Sequence, residues 1–304
     1  MSYFHNHTHT HNKDHSRRNL LISIILNSAI TLVQIIGGLI SGSLALLSDA
    51  LHNFSDVVSL VISYLASILA NKKASITKTF GYKRAEIMAA FINSSTLIIV
   101  AVLLIFEAVE RFNNPKPINS SLVIWLSLIA IAGNGFSVLL LQRSAKSNMN
   151  MQSAYLHMFT DMLASIAVLV GGLLIKYYQI NWIDPFLTLV IALYLVIVGY
   201  KLLKNSFKVL MLFTPESLPV QKIVSEIQNL PNVKNLHHVH IWQLNEEETH
   251  LEAHIDFHND ITLTEFNIVL QSVENVLKQK YNINHVTLQP EYGKCEEKPI
   301  ITQD

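Results

Sequence analysis

Charge is what this chain has least of. Only 14% of its 304 residues are Asp, Glu, Lys or Arg, against 50% hydrophobic. An ordinary soluble domain carries roughly a quarter charged residues. The deficit comes from long apolar runs, not from an even thinning, and this places the chain among membrane proteins. Cysteine is nearly absent. The single Cys295 excludes a disulfide framework within one chain and a Cys-rich metal centre, and is expected to be a plain exposed thiol. Acidic and basic residues balance at 22 each, so no basic surplus points to nucleic acid, and no such partner is expected. The N-terminus lacks a basic stretch followed by a short apolar core and a small-residue cleavage site, so no cleaved leader is expected.

The apolar runs are six. They lie near residues 20–40, 46–70, 86–111, 120–142, 153–178 and 182–204, each long enough for the roughly 20 residues of helix that cross a bilayer. Helix is the expected form, because backbone in lipid must satisfy its own hydrogen bonds. Connections are short: Gly37, Gly38, Gly42 and Ser43 mark the first turn, and Asn113, Asn114, Pro115 and Pro117 the third. Trp125 and Trp182 near span ends read as interface anchors. Lys13, Arg17, Arg18, Lys72, Lys73, Lys78, Lys83, Arg84, Arg143, Lys146, Lys201, Lys204 and Lys208 fall on one side, and only Arg111, Lys116 and Lys176 on the other. The positive-inside rule then puts both termini in the cytoplasm, most simply at the plasma (inner) membrane.

Beyond about residue 210 the pattern changes. Residues 219–229 predict a short helix, 236–244 and 250–258 alternate as strands, 263–281 show helical spacing, and 284–290 read as a last strand. The organisation expected is a His-rich flexible tail (1–16), a six-helix transmembrane domain (17–208), a small α+β domain (209–292) and a flexible tail (293–304). A domain of that size is marginal alone, which favours pairing with a second copy.

Two spans share a motif. Leu51-His52-Asn53-Phe54-Ser55-Asp56 and Leu156-His157-Met158-Phe159-Thr160-Asp161 both read L-H-x-F-[ST]-D. Residues four apart lie on one helix face. The motifs lie on the second and fifth spans, three steps apart, so the helices run antiparallel, with His52 at the depth of Asp161 and Asp56 at that of His157. That is the layout of an inverted repeat with a site at its interface. Ionisable groups inside a membrane are functional candidates by default. Two imidazoles and two carboxylates suit tetrahedral zinc, and the lack of thiolates argues against copper(I). Asp49, one turn before His52, is a candidate for the second shell or the entry path. The bland alternative is that each His bonds to nearby backbone, and a proton relay is the functional rival.

These motifs sit within a wider pattern. Gly42 to His52, Phe80-Gly81-Tyr82-Lys83-Arg84-Ala85-Glu86, Asp184-Pro185 and His238-Val239-His240-Ile241-Trp242 together resemble the cation diffusion facilitator family, in its zinc-transporting branch, over about residues 16–292. The resemblance implies a homodimer with a ferredoxin-like cytoplasmic domain, and exchange of metal for protons by alternating access. By matching position it implies a transport site of His52, Asp56, His157 and Asp161, with zinc as the substrate. It also implies a regulatory metal, again zinc, at His238, His254 and Glu291. Ordinary strand-packing histidines are the alternative there. The loop 71–84 has no His, Asp, Glu or Cys, so the further metal site that some members carry there is expected to be missing.

The N-terminal His5, His7, His9, His11 and His15 suit weak, flexible metal capture, or form a tail without effect on rate. Asn27, Gln34 and Asn134 within spans read as interhelical hydrogen-bonding residues. The function expected is zinc efflux as a zinc/proton antiporter. The alternatives are a membrane metal sensor or a transporter with broader cadmium, cobalt or iron specificity, since ligand type alone gives poor selectivity. An intramembrane metal enzyme would need an open coordination position and a general base beside it. The full ligand set argues against one.

Overall fold

The computed structural model describes residues 10–70, 72–145, 149–245, 247–294 and 299–301. His5, His7, His9 and Cys295 lie outside the described residues, as do the side chains of His11 and His15.

Six long helices come first: α1 (Thr10–Ser41), α2 (Leu44–Ala70), α3 (Ala85–Asn113), α4 (Ser120–Ala145), α5 (Met149–Tyr178) and α6 (Ile183–Leu210). Five of them contain stretches long and apolar enough to cross a membrane: Ile22–Ser41, Ala85–Asn113, Ser120–Gln142, Tyr155–Tyr178 and Ile183–Leu210. α1 starts ten residues before the span expected from hydropathy, its polar first turns lying ahead of the apolar stretch. α2, with 27 residues, is the helix that carries Asp49, His52 and Asp56.

The chain divides into two compact units. One takes the chain up to Ile62 with Ile92–Lys201, and the other takes Ser63–Phe91 with the chain from Leu202 onward. In the first, Ala45, Leu46, Val123, Leu126 and Val168 form a core where α2, α4 and α5 meet. α1 runs close against α4, because a Cβ on Gly133 would come within 2.0 Å of Ile30 Cδ1 and one on Gly37 within 2.0 Å of Leu126 Cδ1. Small residues of this kind let helix backbones approach in a membrane, where no hydrophobic force drives association. Gly42 takes φ +73 in the turn between α1 and α2, a conformation natural to glycine.

The start of α2 is held from another helix. Ser43 Oγ donates to Asp184 Oδ1 at 2.5 Å, and the Leu44 and Ala45 amides donate to Asp184 at 2.8 and 3.2 Å. Asp184, fully buried at the first turn of α6, thus satisfies donors that a helix N-terminus leaves bare. Arg111 of α3 donates to the Gly42 carbonyl and ties off the same turn.

In the second unit, α7 (Val220–Gln228), β1 (Val233–Gln243), β2 (Thr249–Phe257), α8 (Leu263–Tyr281) and β3 (His285–Glu291) form a sheet of order β1-β2-β3. β1 pairs antiparallel with β2. β2 pairs parallel with β3, and α8 supplies the crossover that a parallel pair requires. A capping box starts α8: Thr262 Oγ1 accepts from the Glu265 amide while Glu265 accepts from the Thr262 amide. Ile223, Ile227, Leu236, Ile241, Leu251, Ile255, Val273 and Leu277 form its core. Residues 251, 253 and 255 point into that core, so strand alternation puts His250, Glu252 and His254 on the opposite face. Among the described residues no strand precedes α7, so the domain is an α-β-β-α-β unit and not a complete four-stranded ferredoxin sandwich.

Residues 299–301 of the C-terminal segment are described. The Val239 amide donates to the Ile300 carbonyl at 2.8 Å, and Ile300 packs against the core.

Candidate metal centre

Helix geometry brings the two H-x-x-x-D pairs together. His52 and Asp56 sit one turn apart on α2, with Nδ1 to Oδ2 at 3.6 Å, and His157 and Asp161 likewise on α5, with Nε2 to Oδ2 at 3.6 Å. Across the helices, His52 Nε2 lies 3.9 Å from Asp161 Oδ1, and His157 Nε2 lies 3.3 Å from Asp56 Oδ2. His52 therefore meets Asp161, and Asp56 meets His157, as two antiparallel helices require. The imidazole rings meet edge to face, with centroids 6.1 Å apart. Burial is graded: the Asp161 side chain is 1% exposed and His52 15%, whereas Asp56 and His157 are 29% and 37% exposed.

The contacts run from 3.3 to 3.9 Å. Zinc bonds to nitrogen and oxygen at about 2.0–2.1 Å, which sets tetrahedral ligand atoms about 3.3–3.4 Å apart. His52 makes its two contacts through different ring nitrogens, so side chains must turn to close on that geometry. Two carboxylates balance the charge of a divalent ion, and two neutral imidazoles supply the borderline-soft donors that zinc accepts.

Asp49 stands one turn before His52 and is buried. Its Oδ2 accepts from Gln34 Nε2 of α1 at 2.9 Å and from Ser165 Oγ of α5 at 3.2 Å. It joins three helices and lies beside the four-residue cluster. Gln34 thus makes the interhelical bond expected of it. Asn134 does not: both its amide atoms are buried with no hydrogen-bond partner, and so is Asn27 Oδ1. Asn53 shares this state and is fully buried beside His52. Its position next to a motif histidine was its only signal in the sequence.

A second cluster lies in the C-terminal domain. Ligating atoms of His237, His254 and Glu291 all fall within 4.8 Å of one another. His254 Nδ1 is 3.1 Å and His237 Nε2 3.4 Å from the Glu291 carboxylate. The expected trio was His238, His254 and Glu291, whereas the ligating atoms that converge here are those of His237, His254 and Glu291. The reason is a shift of strand register between His237 and His240, with His238 at φ 50. That bulge turns His238 onto the His254 ring, stacked at 4.7 Å.

At the other end of β2, the buried His250 stacks on Trp242 at 5.3 Å and lies 4.3 Å from His285. Phe80 of the loop between α2 and α3 meets the same ring edge-on at 5.9 Å. Lys83 of that loop pairs with Glu248, whose other oxygen is 3.4 Å from His250 Nε2. Burial, then His285, hold His250 below its ordinary value. Burial pushes the Glu248 carboxyl up, but Lys83 and His250 outweigh it and hold it below the usual range. A basic loop that donates a lysine here is a tether to the C-terminal domain and carries no ligand set of its own.

A bundle of long apolar helices with a His/Asp cation cluster between two antiparallel members is the architecture of an integral membrane protein that handles metal ions. The chain belongs to the cation efflux family, also called the cation diffusion facilitators. Residues 20–211 match the cation efflux transmembrane domain, and residues 215–292 match the cation efflux protein cytoplasmic domain. It is 36% identical over 285 residues to the cadmium, cobalt and zinc/H(+)-K(+) antiporter of Bacillus subtilis (strain 168), covering 93% of this chain and 91% of that protein. It is 31% identical over 298 residues to the zinc transporter ZitB of Escherichia coli (strain K12), covering 97% and 94%. It is 32% identical over 290 residues to the metal cation efflux system protein CzcD of Cupriavidus metallidurans, covering 94% and 91%.

Proposed function

We propose that this chain exports a divalent cation from the cytoplasm, zinc foremost, in exchange for protons, and that His52, Asp56, His157 and Asp161 hold the ion in transit. The observation that supports this reading is the pairing of the two motifs across α2 and α5, Asp56 with His157 at 3.3 Å and His52 with Asp161 at 3.9 Å. Proton exchange follows from the ligand chemistry. Carboxylate and imidazole bind metal only when deprotonated, so proton and metal compete for the same atoms. Histidine titrates near neutral pH, which suits a site that must release its ion on one side and reload on the other.

The finer features of the reading rest on the same base. α2 is the sixth span, its buried acids and histidine tolerated because they face the bundle interior. Both termini are cytoplasmic and the host is the plasma membrane, on the distribution of basic residues. Residues 17–208 form the membrane domain and 209–292 an abridged ferredoxin-like domain that pairs with a second copy, as a marginal domain tends to. The His237, His254 and Glu291 cluster binds a regulatory zinc there. A broader substrate range is the second reading, favoured by the named cadmium and cobalt substrates of the Bacillus relative.

The test is flux of zinc, cadmium and cobalt into proteoliposomes under an imposed pH gradient. Zinc uptake that rises with the gradient and stops when it is collapsed supports exchange. Uptake indifferent to the gradient contradicts it. Binding without uptake would make the protein a sensor.

A further inference from the structure

The pairing of Asp49 with Gln34 is half of a larger hydrogen-bonding unit. A carboxyl and a primary amide are both planar, and each offers two atoms along one edge. Gln34 Nε2 donates to Asp49 Oδ2 at 2.9 Å, and Ser165 Oγ adds a second donor to the same oxygen at 3.2 Å. The other edge atoms, Asp49 Oδ1 and Gln34 Oε1, are both buried and both lack a partner. Both are acceptors when Asp49 is ionised, so nothing passes between them. A proton on Oδ1 supplies the missing donor and closes a cyclic acid–amide pair. Asp49 and Gln34 are each 1% exposed, so solvent does not offer the bond instead, and an unpaired buried acceptor is costly.

We infer that Asp49 carries an exchangeable proton as a neutral acid paired with Gln34, and releases it when a divalent cation occupies the neighbouring four-residue cluster. This inference rests on the transport reading above and assigns one of its protons. The titratable groups that face Asp49 are Asp161 on α5, close enough for the two charges to interact, and His52 on its own helix. The apolar stretches of α1 (22–41) and α4 (120–142) contain no titratable residue. With no cation in the cluster, the unpaired Gln34 oxygen favours the acid, and Asp49 keeps its proton. An arriving divalent cation reverses the local field. The Oδ1–H bond breaks, the proton leaves to water, and Asp49 remains as a carboxylate held by Gln34 and Ser165. When the cation departs, a proton from the side it left by restores the bond. No equivalent exists on α5, where Ala154 occupies the matching position three residues before His157, so the device is single in an otherwise repeated arrangement.

Asp49→Asn mimics the neutral acid, since an Asn amide donates to Gln34 Oε1 while accepting from Gln34 Nε2. The experiment compares the intact full-length chain with this variant by zinc titration calorimetry in buffers of different ionisation enthalpy. Asp161→Ala serves as the reference for zinc bound elsewhere. The protons released per zinc at the transport site should fall by about one in the variant. In infrared difference spectra, zinc should remove a protonated carboxyl band from the intact protein, and Asp49→Asn should lack that change. In Gln34→Leu the band should persist but move to higher frequency, as an acid loses its amide partner. An unchanged proton count and an unchanged band in Asp49→Asn overturn the inference. Gradient-driven zinc flux measured on the same preparation keeps that failure separate from failure of the transport reading.

Discussion

Asp184 illustrates how much a single buried side chain does in this bundle. It accepts three hydrogen bonds at the N-terminus of α2, two from backbone amides and one from Ser43. Water does not reach these donors, so each is left bare if the carboxyl is removed. Asp184→Ala is expected to destabilise the protein by at least about 3 kcal/mol, since each orphaned donor costs about 1–3 kcal/mol. Asp184→Asn keeps an acceptor and should recover part of the loss. Thermal unfolding of the detergent-solubilised chain measures both, and equal melting of Asp184→Ala and the unaltered protein would refute the capping role. Sequence patterns reveal some of these residues and hide others. The repeated L-H-x-F-[ST]-D marks His52, Asp56, His157 and Asp161, because charge in an apolar run is conspicuous and a spacing of four fixes a shared face. Asp184 is equally conspicuous as a residue, but its partner 140 positions away is a backbone amide, which no side-chain pattern encodes. Asn53 and Asn134 fall between the two cases: their burial without partners becomes visible only once the helices are packed.

Element boundaries follow hydropathy closely where the physics is local. α8 runs over Leu263–Tyr281 as its three-and-four spacing implies, and its capping box Thr262–Glu265 fixes the start. Thr262→Ala should cost about 1 kcal/mol, read as faster hydrogen exchange in the first turns of α8. Unaltered exchange there would rule out the cap as a determinant. Register is less legible. The bulge between His237 and His240 places His237 with His254 and Glu291 and stacks His238 on the His254 ring, and a one-residue irregularity among three histidines leaves no mark on alternation. The opposite end of β2 is expected to respond to acid. His250 has its folded value below the ordinary 6.5, so its contribution to stability is whole above 6.5 and is lost as pH falls from there toward the folded value. Glu248 lies below its ordinary 4.5, so its contribution is whole above 4.5 and is lost only in stronger acid. Protection of the β2 amides against exchange, corrected for intrinsic rates, should therefore weaken as pH falls below 6.5. Constant protection as the pH falls would show that His250 takes up its proton alike in the folded and unfolded states.

At the scale of the whole molecule, the account is one of two helices that each bring half a binding site. In the proposed site α2 and α5 each contribute one imidazole and one carboxylate, and the pairing of His52 with Asp161 and of Asp56 with His157 joins the two halves. The meeting of α2 with α5 was legible in the sequence because both carry the same six-residue signature. The three strands were legible as well, but the parallel pairing of β2 with β3 was not, since it depends on long-range contact that alternation does not encode. The most direct measurement is zinc flux into proteoliposomes containing the intact chain, His52→Ala or Asp161→Ala at matched protein amounts. Loss of a ligand should cost more than the roughly 10–100-fold typical of a group that only supports one, so each variant should fall at least about a hundredfold below the intact protein. Flux undiminished in both variants would contradict the claim that these side chains hold the ion as it crosses.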